Sequence, residues 1–170
     1  CEVDFVSVGD YAADGQEMIR QFLPVARTVI VLAHKVTASL EWAWYPVQWE
    51  RHESTCGADL HLKVIMAAVE LVLSDVGHAT MVLPYPGRCG VSFKWLADQS
   101  ALGGVGDSYL FLHREWGPGV HLRVLLTDAV LTGTPPGLAE GPCTHCRACV
   151  DACPSGALSG GEHDQTACGD

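Results

Sequence analysis

Five of the eight cysteines lie in the last 28 residues, and four form a run of Cys143, Cys146, Cys149 and Cys153, with Pro154 directly after the fourth. Thiols at two-residue gaps let one loop wrap three ligands around a face of a cubane. The spacing C-x2-C-x2-C-x3-C-P is that of bacterial 4Fe-4S clusters, where the cysteine before proline serves a different cluster. A more remote thiol is therefore the better fourth ligand for Cys143, Cys146 and Cys149. Cys168 is expected in that role, with Cys153 as the alternative. Zinc is the rival metal, with His145 or His163 able to complete a tetrahedral site. Zinc modules use two separated cysteine pairs, which disfavours it here. Cys1, Cys56 and Cys89 stand singly and read as ordinary thiols.

A second chemical candidate is the glycine stretch Gly103, Gly104, Val105 and Gly106. It fits G-x-x-G, lacks the dinucleotide fingerprint and follows a helical pattern rather than a strand, so by itself it is a tight turn. Lys94 upstream is either a cation beside a cofactor or an exposed helix lysine. Tyr109 and His113 could donate protons by their chemistry. Nothing in their spacing selects them, so no residue is assigned as catalytic. Asp128 is expected to be structural.

Elements must position these groups. Apolar spacing predicts helices over 14–23, 57–76 and 91–102, the second largely buried and capped by Gly77. Strands are expected over 28–33, 80–83, 109–112 and 120–126, the last two joined as a hairpin through the turn at 116–119. The Trp-rich stretch 38–55, with Trp42, Trp44 and Trp49, fits neither period and reads as loop or short helix with packing aromatics. Residues 84–90 form a breaker-rich loop. The Gly/Pro-rich stretch 132–142 reads as a linker. The fold class is α+β or mixed α/β, in two parts: a main domain over 1–136 and an iron-sulfur module over 137–170.

Length and composition set outer bounds. The chain has 170 residues, 10 Lys plus Arg against 20 Asp plus Glu, and a formal charge of −10. Such a field repels phosphate backbones, so nucleic acid is an unlikely partner on this count. No apolar run reaches the roughly 20 residues of a membrane span. The cysteine clustering suits metal ligation rather than a disulfide framework, so a soluble, cytoplasmic protein is expected. A chain that opens on Cys1 rather than Met reads as a fragment or a processed form.

The order of the motifs carries a resemblance. Ser92 to Gly106, then Glu115 to Asp128, then the cysteine run, with Leu23 to Ile30 upstream, together resemble the epoxyqueuosine reductase-like family, which is related to the reductive dehalogenases. This implies a nitroreductase-like mixed sheet flanked by helices, binding a cobalamin or other corrinoid, with a small C-terminal ferredoxin-like module that feeds it electrons. It also implies Lys94, Gly103, Gly104 and Gly106 as cofactor contacts, a ferredoxin or flavodoxin as redox partner and, by fold analogy, a homodimer. The family's second cluster draws on a further cysteine motif, so one cluster is expected here.

Two departures stand out. The family's loop carries an aromatic where this chain has Gly104 and a basic residue where it has Asp107. Residues 86–90 offer no acid in place of the family's proposed proton donor, so the tRNA-modifying activity is not carried over. The expected function is single-electron transfer from a 4Fe-4S cluster to a bound corrinoid for reduction of an unknown small molecule. A non-catalytic electron carrier or corrinoid-handling protein is the alternative.

Overall fold

The structure, a computed structural model, describes residues 1–43, 45–46, 54–85, 90–134 and 141–169. Trp44, Trp49, Cys89, residues 86–89 of the breaker-rich loop and the expected boundary between residues 136 and 137 lie outside the described residues.

A four-stranded antiparallel sheet forms the centre, in the order β1 (Glu2–Ser7), β2 (Thr28–Lys35), β8 (Val120–Thr127), β5 (Thr80–Val82). Both faces of β2 and β8 are covered, which is why Val29 to Ala33 and Val124 to Leu126 read as unbroken apolar runs. On one face Val29, Val31, Ala33, Val124 and Leu126 pack with α1 (Ala13–Phe22) and α3 (Phe93–Ala97) through Ile19, Phe93 and Leu96. On the other, Ile30, Leu32 and Leu125 pack with Leu62 and Met66 of α2 (Gly57–Asp75). Truncating a fully buried residue such as Leu125 to alanine would cost about 2–5 kcal/mol.

The structure revises several expectations. Helix α2 is not largely buried: Leu60, Val64, Leu71 and Val72 are exposed, because only one stripe of its surface meets the sheet. Gly77, at φ 87, does cap its C-terminal end. Helix α3 stops at Ala97, well short of residue 102. There the Ser100 hydroxyl donates to Ala97 O and the Ala101 amide donates to the buried Asp4 carboxylate, both bonds competing with continued helix. The glycine stretch begins as a strand, β6 (Gly103–Val105), paired with β7 (Phe111–His113). β8 pairs instead with β2 and β5, so the expected hairpin of 109–112 with 120–126 does not form. Strand β1, unread in the sequence, is an edge strand whose Asp4 also accepts from Thr134 N.

Between β2 and α2 lie, among the described residues, a 3-10 turn, Ser39–Trp42, and the short pair β3 (Tyr45–Pro46) and β4 (Ser54–Thr55). The C-terminal segment holds α4 (Ala148–Asp151), a small hairpin of β9 (Leu158–Ser159) and β10 (Glu162–His163), and α5 (Gln165–Cys168).

Candidate iron-sulfur site

Short-range backbone chemistry prepares the cysteine run for an anionic group. His145 and Arg147 take left-handed conformations, at φ 54 and φ 62. Alternation with such residues turns consecutive N–H groups inward as a nest, a device common at Fe-S sites. Downstream, the Cys153 thiol lies 3.7 Å from Ser155 Oγ. That contact, with the amides of Leu158, Ser155 and Ala157, lowers its pKa from 9.0 to about 7. A thiol that gives up its proton this readily is suited to metal ligation. Cys143, Cys149 and Cys153 are partly exposed and Cys146 and Cys168 exposed, as free thiols. The donor set, five unpaired and at least partly exposed thiols, is chemically suited to an iron-sulfur cluster.

A single zinc ion fits less well. Among the described residues, the only group of three or more His, Cys, Asp or Glu ligand atoms within 4.8 Å of one another is Asp107, Cys143 and His145, which has one cysteine of the run and not the two or more of a structural zinc module.

The glycine turn packs directly on this run. A Cβ built on Gly106 would lie 3.3 Å from Cys143 Sγ and 2.7 Å from Leu112 Cδ1. On Gly104 it would meet the Gly141 backbone at 3.4 Å, and on Gly103 it would collide with Leu112 O. Close approach of the Leu112 backbone explains the missing side chain at Gly103, and the Leu112 and Cys143 side chains crowd Gly106, whereas Gly104 has ordinary contacts. The Asp107 amide donates to Cys143 Sγ at 3.5 Å, and His145 Nδ1 donates to Asp107 Oδ1 at 2.9 Å.

Lys94 stands at the other end of the same turn. Its ammonium donates to Tyr109 O at 2.7 Å and lies 3.3 Å from the centre of the Tyr109 ring, and desolvation lowers its pKa. Tyr109 is held at φ 59, a conformation rare for a residue with a side chain, and its ring stacks on His163 of the C-terminal segment at 5.1 Å. Two cavities meet at Ser92 and Lys94. One, of about 320 Å³, is also lined by Trp95, Asp98, Val105, Tyr109 and Gly161. The other, of about 270 Å³, is lined by Tyr85, Phe93 and His121 among others.

Beneath the second cavity is a buried ionic network absent from the sequence reading. Asp59 accepts from Arg123 Nε at 2.6 Å and Nη2 at 2.9 Å, and from His121 Nε2 at 3.1 Å. Sequence offers little signal for it, since Asp59 and Arg123 are 64 residues apart.

The other candidates are structural in their contacts. His113 is fully buried, stacked on Trp116, and its Nδ1 accepts from the Glu115 and Trp116 amides. Asp128 holds His78 Nδ1 and the Ala79 amide, each at 3.0 Å, and so fixes the turn before β5. Cys56 is buried at the N-terminus of α2 and Cys1 is exposed.

Residues 140–159 match the family model described as a 4Fe-4S binding domain. The fold compares over nearly its whole length with solved proteins of one kind. The chain is similar to the epoxyqueuosine reductases. A structure of such a reductase with an epoxyqueuosine-modified tRNA-Tyr stem loop has a TM-score of 0.69 at 19% identity, covering 95% of this chain and 50% of that one. The Streptococcus thermophilus protein gives 0.68 at 19%, covering 95% and 51%. In sequence, the epoxyqueuosine reductase of Synechocystis sp. is 26% identical over 149 residues, 84% of this chain and 50% of that protein. That of Leadbetterella byssophila is 30% identical over 122 residues, 66% of this chain and 37% of that protein. The chain thus spans half or less of the length of these curated relatives.

These likenesses overturn one expectation. Net charge argued that nucleic acid is an unlikely partner, yet a protein of this fold is seen with a tRNA stem loop. Formal charge is a sum over the chain and does not describe the local surface a nucleic acid meets. On membranes, no helix among the described residues is long and apolar enough to cross one.

Proposed function

We propose that this chain forms the electron-delivering part of an iron-sulfur oxidoreductase of the epoxyqueuosine reductase type, acting on a modified nucleoside in tRNA. The observation that carries this reading is the seating of Cys143 on the glycine turn, with Lys94 and its two cavities at the far end of the same turn. When bound, a 4Fe-4S cluster supplies electrons one at a time. Cys143, Cys146 and Cys149 would hold it and Cys168 would complete the set, with the left-handed residues His145 and Arg147 able to turn backbone N–H groups toward its negative charge. A ferredoxin or flavodoxin is the proposed donor.

The acceptor side belongs to Lys94. The helices on both faces of the sheet support the nitroreductase-like reading, and the Gly/Pro-rich stretch 132–142 supports a main domain ending near residue 136. A corrinoid of the kind the resemblance implies would meet Lys94 and its two cavities rather than the Cβ sides of Gly103 and Gly106, which Leu112 and Cys143 occupy. Lys94 is the contact proposed for the acceptor. The second reading, an electron carrier without its own reaction, is favoured by Asp107, which stands where the family's loop carries a basic residue and is paired with His145.

The test uses the anaerobically reconstituted chain, reduced with dithionite and mixed with an epoxyqueuosine-modified stem loop, with and without cob(II)alamin. Nucleoside mass spectrometry should show the reduced nucleoside. Iron at full occupancy, no turnover and no spectral response to cob(II)alamin would give the electron-carrier reading the lead.

A further inference from the structure

We propose that Asp107 and His145 are a pair of positioning residues that fix Cys143 on the glycine turn and set the reduction potential of the cluster it ligates. The inference rests on the cluster reading above and adds a role for two side chains that do not ligate it.

Three contacts converge on one sulfur. Asp107 presents its backbone N–H to Cys143 Sγ at 3.5 Å, and its carboxylate, on a side chain 9% exposed, accepts His145 Nδ1 at 2.9 Å. His145 Nδ1 is itself 3.9 Å from the same sulfur. Gly106 packs on another side, where a Cβ would lie only 3.3 Å from the sulfur. The pair spans 38 residues, so it ties the main domain to the cysteine run rather than ordering one loop.

Cluster potentials follow hydrogen bonds to sulfur, local net charge and exposure. Reduction adds an electron to an already anionic group. The Asp107 N–H favours the reduced state. The Asp107 carboxylate opposes it, since a buried charge is screened little. The proton donated by His145 offsets part of that carboxylate charge. Asp107 and His145 therefore act on the cluster with opposite signs through one hydrogen bond.

That opposition gives the test its power. Asp107→Asn removes the charge while keeping the backbone N–H and an acceptor oxygen, and should raise the midpoint potential. His145→Ala removes the compensating donor and should lower it. Asp107→Glu keeps the charge and should stay near wild type. In the double variant the two shifts should not add, because both pass through the same contact. Potentials are read by anaerobic redox titration of the visible and EPR signals, with iron content measured on each sample.

A purely structural role would loosen the cysteine run in every variant and move the potential in one common direction. Shifts of the same sign for Asp107→Asn and His145→Ala, or no shift at all, in chains that keep wild-type iron would overturn the proposal and leave the cluster reading standing. A wild-type chain that takes up no iron would overturn both.

Discussion

Gly106 and Cys143 are packed so closely that a methyl group between them would sit 3.2 Å from the cysteine Cβ and 3.3 Å from its sulfur. This contact joins the glycine turn to the cluster run, two motifs that the sequence presents 37 residues apart. It predicts that Gly106→Val, whose branches must also displace Leu112, destabilises the chain by about 1–3 kcal/mol. The same change should reduce iron retention. Thermal melts and iron analysis of the reconstituted variant check both.

Anaerobic reconstitution should yield the broad visible absorption of thiolate-to-iron charge transfer, bleached by dithionite, with iron near four per chain. Cys146→Ser should lose most of that iron, since one missing thiolate opens a cubane corner to solvent. A colourless protein with stoichiometric zinc would contradict the assignment.

Cys168→Ser should lose the cluster and Cys153→Ser should keep it. The cysteine before Pro154 belongs by pattern to a different cluster. The low pKa of Cys153, at about 7, makes this a demanding test, because that thiol is already prepared for metal. Iron retained in Cys168→Ser and lost in Cys153→Ser would reverse the choice.

Asp59 balances Arg123, His121 and, more loosely, Lys63 at 3.4 Å. Asp59→Ala would leave a guanidinium only 4% exposed without its carboxylate. A loss of about 3–5 kcal/mol is expected for breaking a buried pair from one side. Urea unfolding of the variant measures it, and a loss below about 1 kcal/mol would show that the network contributes little.

His113 is buried, and desolvation lowers its pKa below the ordinary 6.5; His34 is lowered from the same first cause. The unfolded state then binds more protons than the folded state between the folded pKa and 6.5. Stability should be full above pH 6.5 and fall as the pH drops through that window. Melting temperatures from pH 8 to 5 test the sign, and His113→Gln should flatten part of the slope.

What could be read from sequence follows from how local each signal is. The 4Fe-4S pattern was legible because it lies in one short stretch of sequence, the stretch that matches the 4Fe-4S binding domain model. Helix α1, the cap at Gly77 and strands β2 and β8 were legible because periodicity and left-handed glycine act over a few residues. The extent of α2 burial was not, because an apolar side chain such as Val64 looks the same whether or not another element covers it. Net charge misled about nucleic acid because it sums over positions that no partner meets together. Tertiary structure alone decided that β6 pairs with β7, that Asp59 meets Arg123, and that Asp107 reaches His145 beside Cys143. Each of the last two contacts joins residues far apart in the chain, and only the packing of the sheet and its flanking turns brings such residues within hydrogen-bond range.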